Sequence, residues 1–231
     1  MIQVVTPPWF YGKDLIIDIV SVFVLSLIAF FSIRYYRINK KNRNYIYLAI
    51  SFLLMAVSFL AKILTNFTVY YHIYEIRDFG IYTLTHYSIK ASTILFDAAY
   101  LFYRLLMIAG LYILYSIYQK SQPKSNIYLI AFFILVSAYF SQSQYYIFHL
   151  TALMLLALIT IQLYNNFRKN MQHNAKLLAI SFAIIGISQI FFMSAGFSSL
   201  LYVIAETIQL LGYSILLITF IKVLRNAKKK E

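Results

Sequence analysis

The sequence predicts an all-α integral membrane protein: seven transmembrane helices, N-terminus outside, C-terminus cytoplasmic, arranged as a 3+1+3 internal duplication. Three observations carry this. Of 231 residues, 62% are hydrophobic, 19% aromatic and only 12% charged, too apolar for a water-soluble domain. The apolar residues fall in long runs of about 20 between polar breaks. Two of those runs also repeat one another: Leu48-Ala49-Ile50-Ser51-Phe52 recurs as Leu178-Ala179-Ile180-Ser181-Phe182.

The runs place helices at 14–34, 45–66, 89–118, 126–140, 145–164, 176–193 and 199–222. An outer-membrane barrel would alternate apolar and polar residues in short segments, and these runs do not. Pro7, Pro8 and Pro123, the three prolines, all fall outside the spans, which disfavours a transporter built on broken helices. The N-terminal MIQVVTPPWFYGKD has no basic stretch ahead of the first apolar run, so no cleaved signal peptide is expected and the first helix is retained.

Charge sets the orientation. The net charge of +13 would suit nucleic acid if it were spread over one surface, but it is concentrated at alternate helix ends. Arg34, Arg37, Lys40, Lys41 and Arg43 follow the first helix, Lys120 and Lys124 the third. Arg168, Lys169 and Lys176 join the fifth and sixth, and Lys222, Arg225, Lys228, Lys229 and Lys230 end the sequence. The opposite side has only Lys13, Lys62, Arg77 and Lys90, mixed with Asp14, Asp18, Glu75 and Asp78. The positive-inside rule makes the basic side cytoplasmic. The expected surround is the bilayer of the cell membrane, with no nucleic-acid partner.

The duplication extends beyond the LAISF pair. Ser58 recurs as Ser188 and Asn44 as Asn174 at the same offset. Gly110-Leu111-Tyr112-Ile113-Leu114 aligns with Gly212-Tyr213-Ser214-Ile215-Leu216. A single domain follows: a first repeat over about 14–118, a spacer helix at 126–140 that restores orientation, and a second repeat over 145–222. This layout resembles the microbial rhodopsins and the SWEET/PQ-loop transporters, small seven-helix membrane proteins with the same superfold. The resemblance implies a site among the helices, but their signature residues are missing. Leu210-Leu211-Gly212-Tyr213-Ser214 fills the middle of the seventh helix, where a retinal lysine would stand, so covalent retinal is not expected. The Pro-Gln pair is reversed as Gln122-Pro123 and lies in a loop.

Helical spacing sorts the remaining polar residues into stripes that must face protein or water, because lipid cannot satisfy them. Lys90, Thr93, Asp97, Tyr100 and Arg104 share one face of the third helix; Tyr202, Glu206, Gln209 and Tyr213 share one of the seventh. Ser51, Ser58 and Lys62 line the second; Asp14, Asp18 and Ser21 the first; Ser181, Ser188 and Gln189 the sixth. At 1.5 Å per residue, Arg104 and Glu206 lie roughly 8 Å into the core from the outer side, with Asp18, Lys62, Asp97 and His149 shallower. The expected ligand-binding or charge network is therefore Asp18, Lys62, Asp97, Tyr100, Arg104, His149, Gln189, Glu206, Gln209 and Tyr213, all in the outer half. Because Arg104 and Glu206 align in the two repeats, they are expected to pair. Asp97 would be a second acceptor, with Tyr100 or Tyr213 filling the remaining hydrogen bonds.

Several chemistries are excluded. With no cysteine there is no thiol nucleophile or iron–sulfur site. HExxH, GxSxG and glycine-rich phosphate loops are missing, so no enzyme is expected. His72, His86, His149 and His173 sit in loops or at a helix end without metal-ligand spacing, so neither metal nor cofactor is expected. The segment 67–88, rich in Tyr and Thr, reads as a long outer loop with a strand pair or interfacial stretch turning near Asp78-Phe79-Gly80, a candidate lid. Asn66-Phe67-Thr68 is a glycosylation sequon on that side. The functional expectation is a receptor or sensor with a polar outer-half pocket, signalling through a cytoplasmic or membrane partner; a homo-oligomer is compatible with it. A small-solute transporter and a non-catalytic membrane subunit are the alternatives.

Overall fold

The computed structural model describes residues 7–10, 12–38, 40, 42–78, 82–118, 125–141, 144–171 and 173–228. Seven α-helices follow a short 3-10 turn at Pro8–Phe10: α1 Lys13–Ile38, α2 Asn44–Asp78, α3 Tyr82–Tyr118, α4 Ser125–Phe140, α5 Tyr145–Asn170, α6 His173–Ser194 and α7 Ser199–Lys228. Each coincides with one of the apolar runs, and proline is kept out of all seven.

Six of the helices contain a stretch long and apolar enough to cross a membrane: Lys13–Arg37, Asn44–Thr65, Ile94–Tyr118, Tyr145–Lys169, Asn174–Ser194 and Ser199–Lys222. The protein is thus a helical multi-pass membrane protein. Large apolar side chains stand exposed on each of them, among them Phe23 and Phe30, Leu53 and Leu60, Phe102, Met154, Ile190 and Leu211. In water so much exposed apolar surface would drive association; against acyl chains it costs nothing. The helix α4 is different. Its 16 residues rise only about 24 Å, short of the ~30 Å hydrocarbon layer, although it is apolar throughout.

The expected outer loop with its strand pair is corrected. The helix α2 continues to Asp78 and α3 begins at Tyr82, so His72 and His86 lie on helices, not loops. Extending an existing helix adds one hydrogen bond per residue fixed, whereas a new strand pair must first be nucleated. That difference outweighs the β-propensity of Tyr, Thr and Ile here. Of the Asp78-Phe79-Gly80 turn signal, Phe79 and Gly80 lie outside the described residues.

Packing follows chain order. The helices α1, α2 and α3 lie side by side in that order, as do α5, α6 and α7; α1 meets α7 and α3 meets α5, closing a circuit of six. The helix α4 touches only its sequence neighbours α3 and α5 to any extent. One apolar core runs through the six, with Leu25, Ile28, Phe52, Phe59, Ile108, Leu114, Phe148, Leu156, Ile159 and Leu216 fully buried. Its centre is aromatic: Phe59 meets Tyr213 edge-on at 5.7 Å between centroids, and Tyr103 meets Phe148 at 5.3 Å.

Equivalent positions in the two triplets do equivalent packing work. A Cβ on Gly110 would fall 2.8 Å from Met55 Cγ and 2.9 Å from the Ser51 carbonyl oxygen. A Cβ on Gly212 would fall 2.5 Å from Ile185 Cγ1, and Ile185 matches Met55 in the LAISF alignment. Each glycine lets α3 or α7 close onto its neighbour, as small residues do in membrane bundles. Ser58 donates to the Met55 carbonyl and Ser188 to the Ile185 carbonyl, both at 2.7 Å. On α1 the buried Asp18, Ser21, Leu25, Ile28 and Ser32 keep the spacing of His149, Ala152, Leu156, Ile159 and Leu163 on α5.

Candidate functional site

Every buried acidic, basic or histidine side chain among the described residues lies toward the same end of the bundle, where α1, α5 and α7 begin: Asp14, Asp18, Lys62, Arg104, His149 and Glu206. Three local groupings make up this layer.

The first is an ion triad. Lys62 Nζ donates to Asp18 Oδ1 at 2.8 Å and to Glu206 Oε1 at 2.7 Å, joining α2 to α1 and α7. Both carboxylates are fully buried and Lys62 nearly so. Desolvating three charges costs several kcal/mol each, and only short, well-aligned contacts return it. Asp18 Oδ2 and Glu206 Oε2 have no partner among the described residues. One turn toward the helix end, Asp14 Oδ1 accepts from the Gly12 and Leu15 backbone N–H groups at 3.1 and 2.9 Å and so fixes the start of α1.

The second is a neutral chain across α5, α6 and α7. His149 Nδ1 sits 2.8 Å from Gln189 Oε1, an acceptor, so this nitrogen carries the proton in the amide orientation shown. Gln189 Nε2 donates to Ser188 Oγ at 3.2 Å and reaches Gln209 Oε1 at 3.5 Å. The imidazole stacks on Phe192 at 4.9 Å and lies 4.6 Å from the Tyr145 ring. Tyr202 closes this side against Phe192, and Phe10 of the N-terminal turn joins the same apolar cluster.

The third surrounds Arg104. Its guanidinium carbon lies 3.8 Å from the centre of the Tyr100 ring, and Nη1 donates to Ser141 Oγ at 2.8 Å. Arg104 is 2% exposed, yet no carboxylate contacts it among the described residues. Its Nε is buried without an acceptor.

The expected Arg104–Glu206 pair is therefore corrected: Glu206 is held by Lys62. The contact circuit gives the reason. The helix α3 packs on α2, α4 and α5, whereas α7 packs on α1 and α6. Matching positions in two triplets lie on opposite sides of the bundle and meet only near its centre; Lys62, on the helix between α1 and α3, is the cation within reach. Asp97 is also corrected, being exposed and forming no ion pair among the described residues. Tyr100 serves Arg104 with its ring face, not with a hydrogen bond, and Tyr213 belongs to the aromatic centre against Phe59. Ser141 was not singled out by sequence; its one signal is a hydroxyl directly after the apolar run of α4.

No protein-family model matches the chain, and neither the curated proteins nor the solved structures include a match that reaches significance.

Proposed function

We propose that the protein is a non-catalytic, receptor-like membrane protein that binds a small polar ligand in the layer formed by Asp18, Lys62, Tyr100, Arg104, His149, Gln189, Glu206 and Gln209. One observation carries this reading. Ionisable side chains are sunk into one end of the bundle, and several of their donors and acceptors have no protein partner. Groups of this kind inside a membrane are costly and mark function by default. The other end supplies mainly hydroxyls that bond nearby carbonyls, such as Ser32 to Ile28 and Thr219 to Ile215. Because the ionisable groups described are gathered at one end and the middle of the core among the described residues is mainly apolar and aromatic, we read the site as sensing in preference to conduction or transport.

Three finer statements belong to the same proposal. The polar layer faces outside, because the basic ends lie opposite. The two triplets are products of a 3+1+3 duplication, supported by the matched glycines, serines and buried positions. Signal leaves through a partner at the basic, cytoplasmic ends.

The test uses purified protein in nanodiscs, screened against small polar solutes by thermal unfolding. A solute that raises the midpoint in the wild type and not in Glu206→Gln supports the reading; a screen that shifts neither protein overturns it. Uptake of the same solute into proteoliposomes would replace the receptor reading with the transporter one.

A further inference from the structure

Arg104 is the most exacting residue in the molecule. Its guanidinium stays protonated in any protein environment, so it cannot escape burial by losing a proton as Lys62 or His149 could. Yet it is 2% exposed and makes one hydrogen bond among the described residues, from Nη1 to Ser141 Oγ at 2.8 Å. Of the three buried carboxylates at this end, Asp18 and Glu206 are committed to Lys62 and Asp14 holds the backbone at the start of α1. The Tyr100 ring covers one face of the guanidinium at 3.8 Å, which offsets part of the burial but fills none of the in-plane donors.

What remains has a defined shape. Nη1 is occupied, and among the described residues neither the buried Nε nor Nη2 has an acceptor. The free edge is thus the one where Nε and Nη2 point their N–H bonds in parallel, the edge that grips a planar oxyanion through two hydrogen bonds at once. Burial deepens along this face of α3: Asp97 is exposed, Phe96 and Tyr100 are half-buried, and Arg104 is buried, one or two helical turns apart. Phe96 stacks on Tyr100 at 5.6 Å with rings 18° from parallel, and Tyr100 in turn covers the guanidinium.

We propose that Arg104 is the anchor of a bound carboxylate, held bidentately by Nε and Nη2 beneath the Tyr100 ring, with Ser141 fixing the guanidinium from α4. This names the ligand class for the layer under Proposed function and rests on that reading. The carboxylate arrives either on a water-soluble molecule or on a fatty acid from the bilayer; the chemistry at Arg104 is shared. A monoanion suits the site, because Asp18 and Glu206 already load this end with negative charge and a doubly charged phosphate would meet more repulsion.

The experiment follows thermal unfolding of the full chain in nanodiscs made from lipids free of fatty acid. Sodium acetate, sodium benzoate and sodium laurate are each compared with sodium chloride at equal ionic strength, and with sodium phosphate. A carboxylate at a hundredfold excess over its dissociation constant should raise the wild-type midpoint by about 5 °C. Arg104→Lys, which keeps the charge and loses the planar fork, should lose that shift, as should Arg104→Met. A shift with acetate or benzoate identifies a soluble ligand, and one with laurate alone a lipid. If either variant fails to fold, wild type is read by carbon-13 NMR of labelled acetate, benzoate and laurate, where a bound resonance displaced by excess unlabelled carboxylate is required. Equal shifts in wild type and Arg104→Lys, or no carboxylate effect, overturn the assignment. Shifts by other polar solutes with none by carboxylates would overturn it while leaving the receptor reading standing.

Discussion

The triplet α1–α3 and the triplet α5–α7 share their packing positions and differ in what they carry at one end. Gly110 and Gly212 each seat a helix against its neighbour, and Ser58 and Ser188 each turn back on their own backbone. At the polar end, Asp18 stands opposite His149, Lys62 opposite Phe192, and Arg104 opposite Glu206 in the alignment. One triplet supplies a carboxylate and two cationic side chains; the other supplies an aromatic slot around an imidazole, and one carboxylate that reaches Lys62. The lesson is that packing geometry and site chemistry are set at separate depths of the same helices. Positions near mid-helix must satisfy close contact, whatever the function. Positions near the end are free to diverge once the backbone is fixed.

The largest test of that contrast removes the ammonium. Lys62→Met leaves two buried carboxylates facing each other and should cost about 3–5 kcal/mol in unfolding by detergent titration, whereas Phe192→Leu at the matching position should cost about 1–2 kcal/mol. The triple change Asp18→Asn, Lys62→Met, Glu206→Gln should recover most of the loss; if it does not, the triad is not the reason for the cost. Next in size are the glycines. Gly110→Ala drives a methyl into the Ser51 carbonyl as well as Met55 and should cost about 1–3 kcal/mol, with no rescue from Met55→Ala, because the backbone oxygen remains. Gly212→Ala should be largely rescued by Ile185→Ala, which removes the side chain in its way; equal behaviour of the two pairs would erase the distinction.

Smaller effects sharpen the comparison. Arg104→Gln and Glu206→Gln should be additive within about 0.5 kcal/mol, since they share no partner, whereas Lys62→Met and Glu206→Gln should couple. Ser51 Oγ donates across to the Gly110 carbonyl at 2.8 Å, while Ser181 Oγ returns to Leu177 of its own helix at 2.9 Å. Ser51→Ala should therefore cost about 0.6–1 kcal/mol and Ser181→Ala less, measured in the same unfolding assay. Identical losses would mean that the interhelical bond is not worth more than the local one.

Much of the fold is written in residues that lipid and packing constrain together. Apolar run length located the helices, and the alignment of Gly110-Leu111-Tyr112-Ile113-Leu114 with Gly212-Tyr213-Ser214-Ile215-Leu216 marked the two matched glycines. The ten polar residues in the outer stripes include the members of the triad, because an ionisable side chain in an apolar run has few places to go. Their partners were less legible. Pairing depends on which helix lies between which, and α2 lies between α1 and α3; alignment of repeats carries no such information. Asp97 shows the same limit: its stripe position is shared with Arg104, but the solvent or lipid boundary falls between them. The 67–88 stretch misled through composition, because Tyr and Thr signal strands only when no helix is already growing into them.

The unequal helix lengths have a mechanical side. The helices α2 and α3 are 35 and 37 residues long, while α6 is 22 and α7 is 30. At 1.5 Å per residue the first two overrun a ~30 Å hydrocarbon layer by roughly 20 Å. An antiparallel pair that long is a lever. A tilt of about 10° within the bilayer displaces its far tip by several ångströms, and Arg104 and Lys62 lie on these same two helices. Strain at the polar layer is thus geared outward along a stiff arm, so a spectroscopic label on Asp78 or Tyr82 would read events at the guanidinium from well outside the membrane.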